Sequence, residues 1–210
     1  DVLLNIGGIA NITCNLDGRY VACDVGGANQ ILNALAQTLG LPYDDGGQLA
    51  ASGQHIPALA EVMDALPYFS WPPPKSLGND WVQEHQTQAY LNWPASPEDR
   101  LQTACRQLAR QTALAVQRIF LTAAFSRPAY RILATGGGAY NTFLTRCIVE
   151  ECNALMGGFT LELPDAGIVN YKEAVLMALM GVLRIMELPN CIASATGATR
   201  DAIGGAVYLS

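Results

Sequence analysis

Charge and histidine are scarce in this sequence. Only 14% of its 210 residues are Asp, Glu, Lys or Arg, two are His, and the net charge is -6 with a pI near 4.8. An acidic chain of this kind excludes nucleic acid as the expected partner and offers no polybasic patch to an anionic membrane. Metal-type spacing is missing too. Cys14, Cys23, Cys105, Cys147, Cys152 and Cys191 include no C-x-x-C pair, and His55 and His85 stand apart from them. That argues against a zinc site and against Ser-His-Asp or Cys-His machinery. No apolar run reaches membrane-span length; the longest, 174–185, is interrupted by Gly181. Neither the Walker pattern nor the dinucleotide fingerprint occurs. The first residues show no initiator Met and no basic-then-apolar leader. The chain opens directly in strand-like residues, so we expect a boundary inside a longer protein.

What is present is apolar. Half of the residues are hydrophobic, enough to bury a core and to exclude disorder. The cysteines at 14, 105 and 147 sit inside apolar patterns, as buried, reduced thiols of a cytoplasmic protein would. Residues 2–6, 9–15 and 19–24 predict three consecutive strands, with Leu16-Asp17-Gly18 as a hairpin turn. Ile31, Leu32, Leu35 and Leu39 recur at helical spacing and Gly40 stops that helix. Residues 41–95 are rich in breakers and predict irregular structure with short helices at 47–52 and 57–66. The run Trp71 to Lys75 is extended by its prolines. Ser96-Pro97-Glu98-Asp99 is a helix-start signature ahead of a long apolar stripe, Leu101 to Ala123. A strand at 130–134, a helix at 141–155, a strand at 159–163 and an amphipathic helix at 171–186 follow. Strands alternating with helices after a meander predict an α/β layer architecture.

Three glycine-rich turns carry the chemical interest: Asn5 to Asn11, Asp24 to Asn29, and Thr135 to Asn141. Each follows a strand, and the last two open a helix. Such turns let N–H groups point at phosphate oxygens and let a ligand approach the backbone. Taken singly, each is as well read as a tight connection. Asp24, at a strand end before glycines, is a carboxylate suited to hold Mg²⁺ through water, or else a cap. Lys75 is a phosphate-reaching cation or a loop lysine. Asp44 and Asp45 read as turn formers. Glu173, in the first turn of the predicted last helix, complements its dipole or serves a ligand.

The ordered set of motifs N-I-G-G-I-A-N-I-T (5–13), the 41–53 block, P-P-K-S-L-G (73–78), G-G-G-A-Y-N (136–141), K-E-A (172–174) and A-T-G-A (195–198) resembles the anhydro-N-acetylmuramic acid kinase family of the sugar kinase/Hsp70/actin superfamily. The resemblance implies a ribonuclease-H-like (actin/hexokinase-type) α/β lobe with an opening antiparallel meander, a mixed sheet flanked by helices and a helical insertion at 41–95. It implies ATP and Mg²⁺, an anhydro-amino-sugar substrate, and a cytoplasmic role in cell-wall recycling. In that reading Asn5, Gly7, Gly8 and Asn11 face phosphate. Asp24, Gly26, Gly27 and Asn29 lie beside Mg²⁺ and phosphate, and Lys75 adds a cation. Gly136, Gly137, Gly138 and Asn141 hold the nucleoside, and Glu173 touches the sugar. Residues 1–210 would be the C-terminal lobe of a two-lobe kinase, and the resemblance also implies a homodimer, with the region of Trp71, Trp81 and Trp93 read either as its interface or as core packing. The N-terminal lobe, with its G-T-S-x-D-G loop and water-activating aspartate, has no counterpart in this sequence. The chain alone is therefore expected not to turn over. Its Asp24-Val25-Gly26-Gly27-Ala28-Asn29 lacks the proline of the family's D-x-G-P-G-N turn. A levoglucosan-type kinase and a non-catalytic nucleotide-binding module are the alternative readings.

Overall fold

The structure, a computed structural model, describes residues 1–208. Five strands form one mixed sheet in the order β3-β2-β1-β4-β5. β1 (Val2–Ile6), β2 (Ile9–Leu16) and β3 (Arg19–Gly27) make the antiparallel meander. The Leu16 to Arg19 hairpin turns through Asp17 and Gly18, both at positive φ, as a tight two-residue turn demands. β4 (Tyr130–Thr135) joins β1 in parallel, and β5 (Phe159–Glu162) joins β4. Strand order and directions agree with the ribonuclease-H-like expectation. In β1, Val2, Leu4 and Ile6 are buried while Leu3 is exposed, and in β4 Tyr130, Ile132 and Ala134 are buried. This period-2 alternation turns one face of the sheet to the helices.

Between β3 and β4 run α1 (Asn29–Gln37), α2 (Gln48–Ser52), α3 (Pro57–Asp64), α4 (Asn79–Val82), α5 (Gln88–Asn92) and α6 (Pro97–Thr122), with a π-helical turn at Gln83–Thr87. The short helices expected at 47–52 and 57–66 are present as α2 and α3; α4, α5 and the π-helical turn add to them, and the segment is pinned to α6. Asp64 of α3 accepts from Gln107 (3.2 Å) and Gln111 (2.7 Å) of α6. The buried Arg100 closes the end of α5 by donating to the carbonyls of Tyr90 (3.3 Å) and Leu91 (2.5 Å). The start of α6 follows its local signals: the Ser96 hydroxyl accepts from the Asp99 N–H at 3.1 Å, with Pro97 in the first turn. α7 (Thr142–Leu155) packs on α6, and Cys105, Cys147 and Ile148 lie in the core with them. All six cysteines are free, and every one but Cys191 is buried. Burial pushes the Cys23 thiol up to about 11 and those of Cys14 and Cys152 up to about 12, so these thiols stay protonated.

Two sequence expectations need correction. The last long helix, α8, spans Ala166–Ile185, five residues earlier than its periodicity indicates, because Asp165 caps it by accepting from the Ile168 N–H at 3.1 Å. α8 is therefore long and apolar enough to cross a membrane by length and composition, although the continuous apolar run is not. The tryptophans divide between the two readings open for them: Trp81 and Trp93 pack against the core, and Trp71 is exposed. α9 (Ala193–Thr196) ends the regular structure and lies against β3.

The sheet's central position makes a sharp contrast in stability. Ile132→Ala, at a fully buried site, is expected to cost about 2–5 kcal/mol through lost transfer energy and a residual cavity. Leu121→Ala, at an exposed site on α6, should stay within about 0.5 kcal/mol. Urea midpoints of the two variants check this.

Candidate functional site

The three glycine turns meet at Ile6, the last residue of β1. After Ile6 the chain doubles back through Gly7 and Gly8. The carbonyl of Gly8 accepts from the N–H groups of Ala28 (2.8 Å) and Gln30 (3.2 Å), and that of Gly7 from Asn29 (3.0 Å). The third turn comes in from β4, which runs beside β1. A Cβ on Gly136 would lie 2.5 Å from the Ile6 carbonyl oxygen and 2.8 Å from Asn5 Oδ1. One on Gly138 would lie 2.2 Å from Ile6 Cγ2 and 2.9 Å from Asn29 Oδ1. Only glycine admits this approach.

The same bonds revise what each turn offers. The N-terminal N–H groups of α1 are turned on Gly7 and Gly8, and the Gly27 N–H donates to Gln86 Oε1 at 2.8 Å. The second turn is thus a supporting layer rather than a row of free donors. Gly26 and Gly27 are close-packed: a Cβ on Gly27 would lie 2.5 Å from Val82 and 2.7 Å from Ile31. Among the described residues, the N–H groups of Gly7 and Gly8 meet no acceptor outside the strands. Those of Gly137 and Gly138 open a 3-10 turn and lack partners within it. These are the donors available to an anion.

A cation stands beside them that sequence reasoning did not single out. Lys172 of α8 donates to Asn5 Oδ1 and, at 2.9 Å, to Thr135 Oγ1. Burial lowers its pKa, with Glu173 opposing that shift. Glu173 itself is exposed. With α8 beginning at Ala166, Glu173 lies beyond the first turn, and dipole complementation no longer applies to it. The K-E-A triplet was the available signal; the misplaced helix start directed attention to its glutamate.

Asp24 is held at the edge of two clefts. Its Oδ2 accepts from the Leu77 N–H at 2.7 Å, its carbonyl from the Tyr68 hydroxyl at 2.9 Å, and its own N–H donates to the Lys75 carbonyl at 3.0 Å. It does not cap α1, whose N-cap residue is Ala28. Burial raises the Asp24 pKa, and the Leu77 N–H partly opposes this. Its Oδ1 has no partner among the described residues. One cleft, of about 390 Å³, brings Asp24 together with Asn11, Lys75 and Thr196. The other, of about 340 Å³, adds Arg110 and Arg118. Lys75 is neither a free loop lysine nor extended toward the glycine turns. Its ammonium donates to the Tyr68 carbonyl at 2.8 Å and lies 4.2 Å from the centre of the Tyr68 ring, and burial lowers its pKa. No cluster of three or more His, Cys, Asp or Glu exists among the described residues. A single carboxylate with one free oxygen on an open cleft nevertheless fits Mg²⁺, which keeps most of its waters.

On the far side of Asn29 a cavity of about 470 Å³ is bounded by Asn33, Tyr43, Asp45, Gly137, Gly138 and Asn141. Its size and mixed lining suit a nucleoside. Asn141 shapes the wall, since its Oδ1 caps α7 by accepting from the Leu144 N–H at 2.9 Å. Asp44 caps α2 with both oxygens, to Leu49 (2.8 Å) and Ala50 (2.9 Å), in keeping with a turn former. Tyr43 and Asp45 are wall residues that the sequence reading left as turn.

The model of the anhydro-N-acetylmuramic acid kinase family matches residues 1–210. A curated protein of that name from Cupriavidus pinatubonensis is 35% identical over 211 residues, covering 99% of this chain and 55% of the relative. One from Nitrosospira multiformis is 33% identical, with 99% and 55% covered. The chain thus spans about half the length of these relatives. Among solved structures, the activator of the 2-hydroxyisocaproyl-CoA dehydratase from Clostridium difficile, with bound ADPNP, aligns with a TM-score of 0.47 at 16% identity. That alignment covers 89% of this chain and 62% of the other. Component A of the Acidaminococcus fermentans (R)-2-hydroxyglutaryl-CoA dehydratase gives 0.47 and 16%, over 83% and 58%.

Two outcomes follow from this geometry. Gly138→Ala must displace Ile6 and should cost about 1–3 kcal/mol. Gly137→Ala meets only Asn29 Nδ2, at 3.8 Å, and should leave the melting temperature nearly unchanged. For Asp24, the raised pKa means that the folded state binds its proton more tightly than the unfolded chain does. The penalty for the charged form is absent below the ordinary carboxylate pKa and grows as pH rises to the raised value. Asp24→Asn removes it, so the urea midpoint of the variant should gain on that of the parent across that window and stay level above it.

Proposed function

This chain belongs to the anhydro-N-acetylmuramic acid kinase family, and we propose that it is the nucleotide-binding lobe of a kinase in which water opens a 1,6-anhydro ring while O6 receives the γ-phosphoryl group of ATP. The product would be N-acetylmuramic acid 6-phosphate, formed in the cytoplasm during cell-wall recycling. The observation that carries the reading is the meeting of three glycine turns at Ile6, between a nucleoside-sized cavity and a carboxylate with a free oxygen.

In this reading the nucleoside enters beside Gly137 and Gly138, and Asn141 keeps that wall rigid. The phosphates lie over the Gly7 and Gly8 N–H groups, with Lys172 adding charge at Asn5. Asn11, Gly26 and Asn29 shape the phosphate side, while Gly27 acts through its bond to Gln86. Mg²⁺, when bound through water at Asp24, would neutralise the charge that develops during transfer. A carboxylate whose proton affinity is raised by burial also suits proton removal from water. Asp24 therefore offers a seat for the base within this chain, besides the one that the resemblance sets in the other lobe. Phosphoryl transfer depends on positioning and electrostatics from both sides of the cleft. Residues 1–210 alone are accordingly assigned binding rather than turnover.

Mg-ATP should raise the melting temperature of this chain by the amount expected from ligand linkage, and its absence would sink nucleotide binding. ADP release by the full-length protein should depend on an anhydro-amino sugar; release with levoglucosan instead would transfer the assignment to that alternative. Asp24→Asn should slow release on the order of 10²–10⁴-fold, while protection by metal-free ATP persists.

A further inference from the structure

The strand that carries Asp24 has one residue too many for its ladder. Ala10 pairs with Gly26 and Asn11 with Asp24, so Val25 is the extra residue of a β-bulge. A bulge aims the side chains beside it, and a slip of one residue would turn them to the other face of the sheet. Here Asp24 borders the cleft that it shares with Asn11 and Lys75, while Cys23 and Val25, on either side of it, are buried in the core. The bulge keeps this alternation only if its two ends are held. Upstream, Asp24 is bonded to Lys75 and Leu77. Downstream, the Gly27 N–H donates to Gln86 Oε1 at 2.8 Å.

Gln86 is an unusual residue to bury. It is fully enclosed, and its Nε2 has no partner among the described residues. An unpaired buried amide nitrogen opposes folding. Packing alone would favour an apolar side chain at this position, so the glutamine is accounted for by its oxygen. It is presented by the π-helical turn Gln83–Thr87, an irregularity that helices carry mostly at functional sites. We propose that Gln86 is a positioning residue: by holding the Gly27 N–H it pins the bulge at Val25 and so keeps the Asp24 carboxylate at the cleft. This rests on the role proposed for Asp24. Gly27 is followed by Ala28, whose N–H is bonded to the Gly8 carbonyl. One side chain of the helical insertion therefore bears on both the carboxylate and the phosphate turn.

Variants of the full-length protein test this. Gln86→Met keeps the bulk of the side chain and loses the acceptor. It should lower kcat for sugar-dependent ADP release on the order of 10²-fold, with KM for sugar and ATP within about threefold of the parent. It should also abolish the extra rise in melting temperature that Mg²⁺ adds to protection by ATP, while protection by metal-free ATP persists. Val82→Ala loosens the packing on the same glycine without touching the bond, since Val82 Cγ1 is the nearest atom to a Cβ on Gly27. It should lower the melting temperature and leave kcat and the Mg²⁺ increment in place. Gln86→Glu retains an oxygen for the Gly27 N–H, and its kcat should stay within about threefold of the parent. Equal losses in Gln86→Met and Val82→Ala overturn the proposal. So does a lowered melting temperature in Gln86→Met with kcat and the increment intact. If Gln86→Met does not fold, Gln86→Glu decides: retention of kcat and of the increment supports the proposal, and loss of both overturns it. A parent without sugar-dependent release rejects the kinase, and the Mg²⁺ increment then decides the positioning role by itself. A parent with neither overturns both.

Discussion

The candidate site depends on one set of backbone bonds, from the N–H groups of Ala28, Asn29 and Gln30 to the carbonyls of Gly7 and Gly8. They join the turn after β1 to the start of α1, two pieces of chain that the sheet alone would leave as neighbouring loops. Each such bond is worth only about 1 kcal/mol net. Their value lies in direction. The carbonyls of the first turn are consumed by the start of α1, and its N–H groups are left without a backbone partner among the described residues. An anion site made of backbone needs this one-sided satisfaction, because unspent donors must sit next to spent acceptors without either being buried unpaired.

The same constraint explains why the glycines are not equivalent. Gly136 and Gly138 are glycines because Ile6 and Asn29 occupy the space of a side chain. Gly27 is one because Val82, Ile31 and Gln86 close over it. Gly7 and Gly8 have looser surroundings; the nearest atom to a Cβ on Gly8 is Gln30 Cγ at 3.3 Å. The tight glycines hold the turns together, and the loose ones leave room for a ligand. A motif alone does not separate these roles. The missing proline of the Asp24–Asn29 turn becomes intelligible in this light: the turn is clamped by Gln86 from outside and by the Gly7 and Gly8 carbonyls from inside.

Local features were legible in the sequence, and long-range ones were not. Asp17-Gly18, Ser96-Pro97 and the stripe of α6 announce themselves within a few residues, since hairpin turns, caps and helix period are local physics. Within residues 41–95 the helices at 47–52 and 57–66 were legible, as α2 and α3, whereas α4, α5 and the π-helical turn between them escaped because each is too short to display a period; the segment is held by distant partners such as Gln107, Gln111 and Arg100. The start of α8 escaped because Asp165 caps a first turn containing Gly167, which interrupts the pattern. That error displaced attention from Lys172 to Glu173. The bond from Lys172 to Asn5 spans 167 positions and that from Gln86 to Gly27 spans 59. Neither separation leaves a trace in composition or spacing. The glycine turns were visible, whereas the division between donors and supports was not.

The charged groups of the candidate site are left without ionic partners among the described residues. Lys172, Lys75 and Asp24 are each partly buried, and burial shifts each of them toward its neutral form. None is neutralised by a salt bridge among the described residues. Lys172 and Lys75 are instead held by neutral oxygens, from Asn5, Thr135 and the Tyr68 carbonyl, and Asp24 by a backbone N–H. A charge held by neutral partners keeps its field for something else, whereas a paired charge has spent it. Lys172 beside the glycine turns, and Asp24 with Lys75 at the neighbouring cleft, form a field suited to a phosphate chain and its counterion. The apolar face of α8 is comparable: like the unspent charges, it is a surface that the described residues leave unsatisfied.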